Sequence, residues 1–248
     1  MIDCRRGRSI ERLALRAWPS VETVEYDGWV LRASDGYTKR ANSVNPHFGS
    51  SLPLEEKLSH CEDFYAERQL PPIFRLTPFS VPGQLDERLE ARGYQTLDPT
   101  VVMTGPVQLQ KRLETIDVQS PKADEWHTAF ETLRNLPAEK RTPHRWIVDH
   151  AEGERCFALV ESEDRPIACG LGILVEETLG LFDLLTAPEH RRAGHATTLL
   201  GHIFRWASKR GATGAFLQVQ SENPAARRLY ERLGFEVAYP YWYRIGGS

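Results

Sequence analysis

Apolar residues recur along the chain at spacings that predict a strand and then a helix over residues 179–211. Leu181 to Leu185 is an apolar, strand-like run. A Thr-Ala-Pro break and a short turn follow, and apolar residues then return at i, i+3, i+4, i+7 and i+8, which is one face of an α-helix. Gly211 comes after the last of them and is a suitable C-cap. The helix face consists of Ala196, Leu199, Leu200, Ile203, Phe204 and Ala207.

A second strand and helix follow this pair directly. Residues 215–220 are typical of a strand, and Asn223 and Pro224 are favoured as the N-cap and the first residue of a helix. Gly234 ends the helical pattern. An alternation of strands and helices predicts an α/β (α+β) fold. The apolar face of this second helix consists of Ala226, Leu229, Tyr230 and Leu233.

The first half of the chain shows a similar order of elements. A hairpin turned at residues 34–36 is predicted from two segments with strand-like composition. The order helix, hairpin, helix, strand, helix then occurs again after residue 123. The predicted elements of the first half are a helix at 10–17, strands at 25–33 and 38–44, a helix at 52–68, a strand at 73–77, a helix at 84–90 and a strand at 101–103.

The two halves also align without a gap. The closing Gly93 falls on Gly234, and Tyr94 falls on Phe235. We therefore predict two copies of one αβ unit, at residues 1–110 and 115–248, separated by a polar segment with Gly-Pro and Ser-Pro. The other identities of this alignment place Ala66, Leu76, Ser80 and Glu90 on Ala207, Leu217, Ser221 and Glu231.

The turn that precedes the central helix has the features of an anion site. It contains Gly194 and the small residue Ala196, and a helix start leaves backbone N–H groups without intrahelical partners. Such groups favour phosphate as a ligand. Neither the Walker pattern nor Gly-x-Gly-x-x-Gly occurs here. The turn instead reads Arg-Arg-Ala-Gly-His-Ala over residues 191–196, which fits Arg/Gln-x-x-Gly-x-Gly/Ala.

This turn resembles the pyrophosphate-binding motif of the GCN5-related N-acetyltransferases, the GNAT superfamily. Residues 223–235 are similar to a second motif of that family, Asn-x-x-Ala-x-x-(Leu/Phe)-Tyr-x-x-x-Gly-Phe. The resemblance covers residues 115–248 well and residues 1–110 weakly. It implies two GNAT-like units in tandem, each a mixed, mostly antiparallel sheet flanked by helices. The first copy lacks the Arg-x-x-Gly-x-Gly pattern and has Leu89 in place of Tyr230, so we expect it to be degenerate.

The resemblance also implies an activity, an acetyl-CoA-dependent transfer of acetyl to a primary amine by direct attack in a ternary complex. Tyr230 matches the tyrosine that protonates the leaving thiolate. Asn223 matches the residue that reaches the pantetheine amide, and the strand before the turn splays from its neighbour to pair with pantetheine. The amide near Leu184 would face the thioester oxygen. The cofactor-binding residues so implied are Leu184, Leu185, Thr186, Arg191, Arg192, Ala193, Gly194, His195, Ala196, Thr197, Asn223, Ala226 and Tyr230.

The general base is open at this point. Asp183 is a carboxylate in an apolar run, and it either faces the cleft as a catalytic base or caps a buried neighbour. Glu222 and Glu189 are the other candidates. Tyr230 also suits a core position on its helix face. A non-catalytic, acyl-CoA-binding or regulatory module with the same fold is the alternative function.

Composition and charge mainly indicate which partners and segments we do not expect. The 248 residues are 41% hydrophobic and 26% charged, with a formal net charge of −3, which favours neither a nucleic-acid nor an anionic membrane partner. The longest apolar run, residues 167–175, is far below the roughly 20 residues that span a bilayer. No secretory signal is recognisable and the four cysteines form no C-x-x-C, so we expect a cytoplasmic protein. We expect no metal at His190 and His195, a small-molecule or peptide amine as acceptor, and a monomer or homodimer.

Overall fold

In a computed structural model of the protein, residues 3–49, 51–107 and 117–247 are described. They form a mixed α/β fold, and part of the predicted linker, residues 108–116, lies outside the described residues. No described helix is long and apolar enough to cross a membrane. The helices are α1 (Cys4–Ala17), α2 (Leu54–Ala66), α3 (Leu85–Ala91), α4 (Ala123–Arg134), α5 (Ala138–Asp149), α6 (His195–Ser208) and α7 (Pro224–Arg232). The strands are β1 (Glu22–Tyr26), β2 (Trp29–Ala33), β3 (Val44–Asn45), β4 (Ile73–Leu76), β5 (Gln95–Gly105), β6 (Glu154–Ser162), β7 (Arg165–Val175), β8 (Thr178–Thr186), β9 (Gly214–Gln220) and β10 (Glu236–Ile245).

The chain divides into two compact units. Unit 1 contains Met1–Val102, Val219–Asn223 and Val237–Ser248, and unit 2 contains Met103–Gln218 and Pro224–Glu236. Most of β10 therefore belongs to unit 1, although it follows unit 2 in the sequence. The tandem repeat and its division at residues 110–115 stay predictions.

Unit 1 is a sheet covered by helices. Its strands lie in the order β1-β2-β3-β4-β10-β5, with β3 and β4 parallel and β4 and β10 antiparallel. Large side chains from β2, β4 and α2 form the core, and burying them supplies most of the stabilisation of such a unit. The largest fully buried members of this core are Trp29, Leu31, Leu58, Tyr65 and Phe74.

The predicted first hairpin is wrong. β1 and β2 turn at Asp27 and Gly28, and Tyr26 pairs with Trp29. Both turn residues have positive φ, 42° and 82°, as in the two-residue turns whose twist matches that of paired strands. Much of the predicted second strand, residues 38–44, is instead a short 3₁₀ turn. Asp-Gly occurs both at residues 27–28 and at residues 35–36, so this sequence signal alone allows either turn.

Unit 1 also buries a cluster of polar side chains. Glu11 of α1 forms an ion pair with Arg75 of β4 and accepts a hydrogen bond from the Tyr239 hydroxyl at 2.6 Å. The Nε2 atom of His47 lies 3.8 Å from Glu11 Oε2. All four residues are buried. We call these residues, Glu11, Arg75, His47 and Tyr239, the Glu11 cluster.

Unit 2 contains the central strand and helix that the sequence predicts. Its strands lie in the order β9-β8-β7-β6, and only β8 and β9 are parallel. Helix α6 packs very closely on β7, because a Cβ at Gly172 would lie 2.5 Å from Ile203 Cγ2. Helix α5 was not predicted from the sequence. It is a polar helix with a proline, Pro143, in its interior.

Candidate active site

The turn between β8 and α6 has the backbone geometry that the predicted anion site requires. Gly194 is the N-cap of α6 with φ 90°, and the first backbone hydrogen bond runs from Thr198 N–H to Gly194 C=O at 3.0 Å. The N–H groups of His195, Ala196 and Thr197 therefore have no intrahelical partner and lie at the positive end of the helix dipole. A Cβ at Gly194 would meet no atom within 4 Å, so the space beside this turn is open.

Charge and backbone conformation distinguish the residues before Gly194. Arg191 and Arg192 are exposed, and Arg191 Nε donates to the C=O of Thr186 at 3.4 Å. Arg192 has φ 65°, an uncommon conformation for a residue with a side chain. Ala193 is exposed as well. Two guanidinium groups and a helix start on consecutive residues fit a diphosphate ligand.

Strand β8 leaves its parallel neighbour before it reaches this turn. The pairs between β8 and β9 run from Thr178–Gly214 to Leu181–Leu217. β8 then continues to Thr186, which pairs with Ala168 of β7. Its last residues, Leu184, Leu185 and Thr186, are half-buried. Within the described register, the two parallel strands thus pair at one end and separate towards α6.

A β-bulge interrupts β8 at Asp183. Cys169 pairs with Leu185 and Leu171 pairs with Phe182, so two residues of β8 stand opposite the single residue Gly170. Asp183 has φ 47°, and bulges of this kind commonly redirect a side chain.

The carboxylate of Asp183 contacts a histidine that sequence reasoning missed. Its Oδ2 atom lies 3.0 Å from Nε2 of His144 on α5. The His144 side chain is 0% exposed and that of Asp183 is 14% exposed. Asp183 therefore does hydrogen-bond a buried neighbour, one of its two predicted alternatives, while part of it stays accessible. A signal for α5 exists in the apolar spacing of Ile147 and Val148 after His144.

Tyr230 lies on α7 and is buried, 8% exposed. Burial raises the pKa of its phenol to about 12, so the side chain carries its proton at neutral pH. Its ring contacts Phe235, whose centroid lies 6.0 Å away. Both the acid role and the core position that the sequence allows are compatible with this placement.

The remaining predicted residues lie at the start of α7. Asn223, which belongs to unit 1, donates its N–H to the C=O of Gln220 at 3.0 Å. Pro224 is the first helical residue, as predicted, and Ala226 follows in the first turn. The structure brings residues 191–197 together at one helix start. The binding roles predicted for Asn223 and Ala226 stay predictions.

Comparison with known proteins identifies the family. The family model described as "Probable histone acetyltransferase Rv0428c C-terminal" matches residues 6–244. The uncharacterized N-acetyltransferase YobR of Bacillus subtilis is 30% identical over 244 residues, which cover 96% of this chain and 98% of YobR. The probable histone acetyltransferase Rv0428c of Mycobacterium tuberculosis is 26% identical over 248 residues, which cover 93% of this chain and 70% of Rv0428c.

Solved structures show the same fold. A GCN5-related N-acetyltransferase from Kribbella flavida superposes with a TM-score of 0.73 at 16% identity, covering 97% of this chain and 96% of that one. The chain belongs to the Rv0428c C-terminal family of acetyltransferases, and its fold is that of the GNAT superfamily. The prediction of a GNAT-family enzyme is thereby confirmed.

Proposed function

We propose that the protein transfers an acetyl group from acetyl-CoA to a primary amine by direct attack in a ternary complex. The observation that carries this proposal is the backbone conformation from β8 through the turn to the start of α6. A bulged strand leaves its parallel partner at Leu181 and leads into a helix start with φ 90° at Gly194. This arrangement offers an extended edge to a pantetheine arm and backbone N–H groups to a pyrophosphate.

The residues at this site fit acetyl-CoA. The N–H groups from Arg192 to Thr197 would hold the pyrophosphate, with charge from Arg191 and Arg192. Leu184 and Thr186 would accompany the pantetheine arm, and the amide near Leu184 would stabilise negative charge on the thioester oxygen. When bound, acetyl-CoA supplies an activated acyl group at its thioester carbon.

The side chains of unit 2 account for the proton transfers of such a reaction. Asp183 accepts a proton from the ammonium form of the acceptor, which leaves a nucleophilic amine. Tyr230 donates its phenolic proton to the departing sulfur, and it recovers a proton from the newly acylated nitrogen. In total, a C–N bond replaces a C–S bond, and one proton is released to solvent.

We propose further that only the second half of the chain binds acetyl-CoA, because the first is a degenerate copy. The local closures of α3 and α7 support the repeat. Gly93 and Gly234 have φ 84° and 85°, and the next residue in each case donates its N–H at 3.0 Å to the C=O of Leu89 or Tyr230. Calorimetric titration with acetyl-CoA is expected to give one site per chain. Two sites would contradict the degenerate copy.

Calorimetry followed by an assay of free-thiol release tests the main proposal. The acceptor panel contains small amines, a peptide with a free N-terminus and a lysine-containing histone peptide, since one relative is named as a probable histone acetyltransferase. We expect binding, and thiol release with some acceptors. Gly194→Asp is expected to abolish binding, because it places a charged side chain at a positive-φ position beside the pyrophosphate.

The other outcomes are equally informative. Binding without release for any acceptor would identify a non-catalytic acyl-CoA-binding module. The absence of binding would contradict the proposal altogether. We place the reaction in the cytoplasm and expect a monomer or a homodimer, which sedimentation of the purified protein distinguishes.

A further inference from the structure

A row of two imidazoles with a carboxylate at each end runs through unit 2 and ends at the β8 bulge. Asp183 Oδ2 lies 3.0 Å from His144 Nε2. The His144 ring meets the His127 ring of α4 at 90°, with centroids 5.7 Å apart. His127 Nε2 lies 3.2 Å from Asp149 Oδ1. The two histidine side chains are 0% and 1% exposed, whereas that of Asp149 is 49% exposed.

The chemistry of the end groups determines which atoms carry protons. An ionised carboxylate can only accept hydrogen bonds, so Nε2–H of His144 donates to Asp183 and Nε2–H of His127 donates to Asp149. Burial lowers the pKa of His127, which keeps this ring neutral at pH 7 and its single proton on Nε2. The His127–Asp149 pair thus fixes the orientation of the ring that packs on His144.

Aromatic side chains hold His144 in place. The ring of Phe130 stacks on it with centroids 4.1 Å apart and planes at 12°, and Trp126 lies 6.1 Å away at 26°. Trp126 is itself anchored, because its Nε1–H donates to the C=O of Gly170 at 3.1 Å. Gly170 is the residue opposite the bulge. The bulge and the His144 ring are therefore located by the same tryptophan.

Among the described residues, Cys169 of β7 and His127 of α4 contact the two ends of the Asp183–His144 pair. Asp183 meets His144 from α5, and the Cys169 thiol of β7 donates to its backbone C=O at 3.8 Å. His144 meets His127 from α4, whose charged neighbours are Asp149 and Arg145. Among the described residues, no group of three or more His, Cys, Asp or Glu side chains is placed to hold a metal ion. The observed contact within the pair is a hydrogen bond between Asp183 Oδ2 and His144 Nε2.

We propose that His144 is a positioning residue. It holds Asp183 through Oδ2, which turns the other carboxylate oxygen, Oδ1, towards the acceptor amine, and the His127–Asp149 pair fixes His144 from behind. The proton of the ammonium group passes to Oδ1, and His144 keeps its own proton throughout. This inference rests on the proposed function, in which Asp183 is the general base.

Three substitutions at one position test the role of His144. His144→Leu removes the donor, and we expect kcat for thiol release to fall about 10- to 100-fold, because a misplaced catalytic group costs factors of this order. His144→Gln places an amide N–H close to the position of Nε2, and we expect it to keep most of the wild-type kcat. In His144→Asn the side chain is too short to reach Asp183, so we expect the same fall in kcat as in His144→Leu. This variant replaces His144→Leu in the test if the leucine variant fails to fold.

The affinity for acetyl-CoA, measured by calorimetry, separates positioning from a general loss of structure. We expect the Kd of all three variants to stay within about twofold of the wild type, so that the effect appears in kcat. His150→Leu is the matched control, since His150 is exposed at the end of α5 and its described contacts, a hydrogen bond to the C=O of Trp146 and stacking on the Trp146 ring, stay within that helix end. Its kcat and Kd should be those of the wild type.

Failure of the inference and failure of the proposed function give different results. If the wild type releases thiol and His144→Gln is as impaired as His144→Leu or His144→Asn, the donor at Nε2 has no special role and the inference is wrong. A kcat equal to that of the wild type in His144→Leu would also show that the inference is wrong. If the wild type releases no thiol with any acceptor of the panel, the proposed function fails, and the positioning role fails with it.

Discussion

Each unit of this protein buries a histidine beside a carboxylate, but the two carboxylates are surrounded differently. The Glu11 side chain is 2% exposed and meets Arg75, Tyr239 and His47. The Asp183 side chain meets His144 on one side and is 14% exposed. A carboxylate enclosed by donors contributes to stability, whereas one held from a single side can still exchange a proton. The number of sides occupied, more than burial itself, separates a structural carboxylate from a candidate base.

Glu11→Ala should give the largest effect. It leaves Arg75 buried without its countercharge, and breaking a buried pair in this way costs about 3–5 kcal/mol. Urea unfolding measures the loss. Glu55→Ala is the matched control, because Glu55 pairs with Arg88 and Arg92 on the exposed surface, where such pairs contribute about 0–1 kcal/mol. Equal losses in the two variants would contradict the distinction.

Acid should destabilise unit 1 through His47. Burial lowers the pKa of this imidazole from 6.5 to about 4. As the pH falls from 6.5 to 4, the unfolded chain binds a proton that the folded chain does not, so the free energy of unfolding decreases by about 3 kcal/mol. Burial alone would raise the pKa of Glu11, but Arg75 and His47 lower it overall, which adds a further loss below pH 4.5.

Unfolding measured at several pH values checks this prediction. In His47→Gln the decrease between pH 6.5 and 4 should become much smaller, since the variant has no imidazole at this position. If His47→Gln shows the same pH slope as the wild type, His47 is not the group responsible.

Asp183→Asn should affect turnover and leave stability nearly unchanged. The amide oxygen can still accept the hydrogen bond from His144, but the side chain no longer takes up a proton. We expect kcat to fall about 100-fold, within the range of general base catalysis, with unfolding changed by less than about 1 kcal/mol. Asp164→Asn, in the exposed turn between β6 and β7, is the control. A similar kcat in both variants would exclude Asp183 as the base.

Two buried tyrosines sharpen the comparison with smaller effects. Tyr239→Phe removes a hydrogen bond to the charged Glu11 and should cost about 1.5 kcal/mol of stability without lowering kcat.

Tyr230→Phe should lower kcat about 10-fold and leave the Kd for acetyl-CoA nearly unchanged, because a general acid is lost. If Tyr230→Phe weakens acetyl-CoA binding but not turnover of the bound form, Tyr230 is a packing residue.

The sequence predicts the elements whose signals are local. Helices α6 and α7 show a clear apolar spacing and end before a glycine, Gly211 or Gly234, with φ 83° and 85°. Helix α5 was missed because most of its residues are polar. The hairpin of β1 and β2 was misplaced because Asp-Gly occurs twice within about ten residues, and both pairs have positive φ. The pairing of Tyr26 with Trp29, which the local sequence does not reveal, decides that the first pair forms the turn.

The candidate site likewise has one part that the local sequence predicts and one part that it does not. The turn of residues 191–197 is contiguous, so the sequence alone predicts an anion site there. The pair of Asp183 and His144 joins residues from β8 and α5, and no periodicity relates them. The bulge that orients Asp183 depends on pairing with β7, which a single strand does not encode.

The same bulge places a limit on how the chain can change in length. Asp183 and Leu184 share one partner, Gly170, so β8 contains one residue more than its ladder with β7 requires. Deleting one of the two would restore an uninterrupted ladder, and the strand would lose the residue that turns a carboxylate towards α5. Relatives or engineered variants with a single deletion between Phe182 and Leu185 would therefore retain the architecture and lack the chemistry.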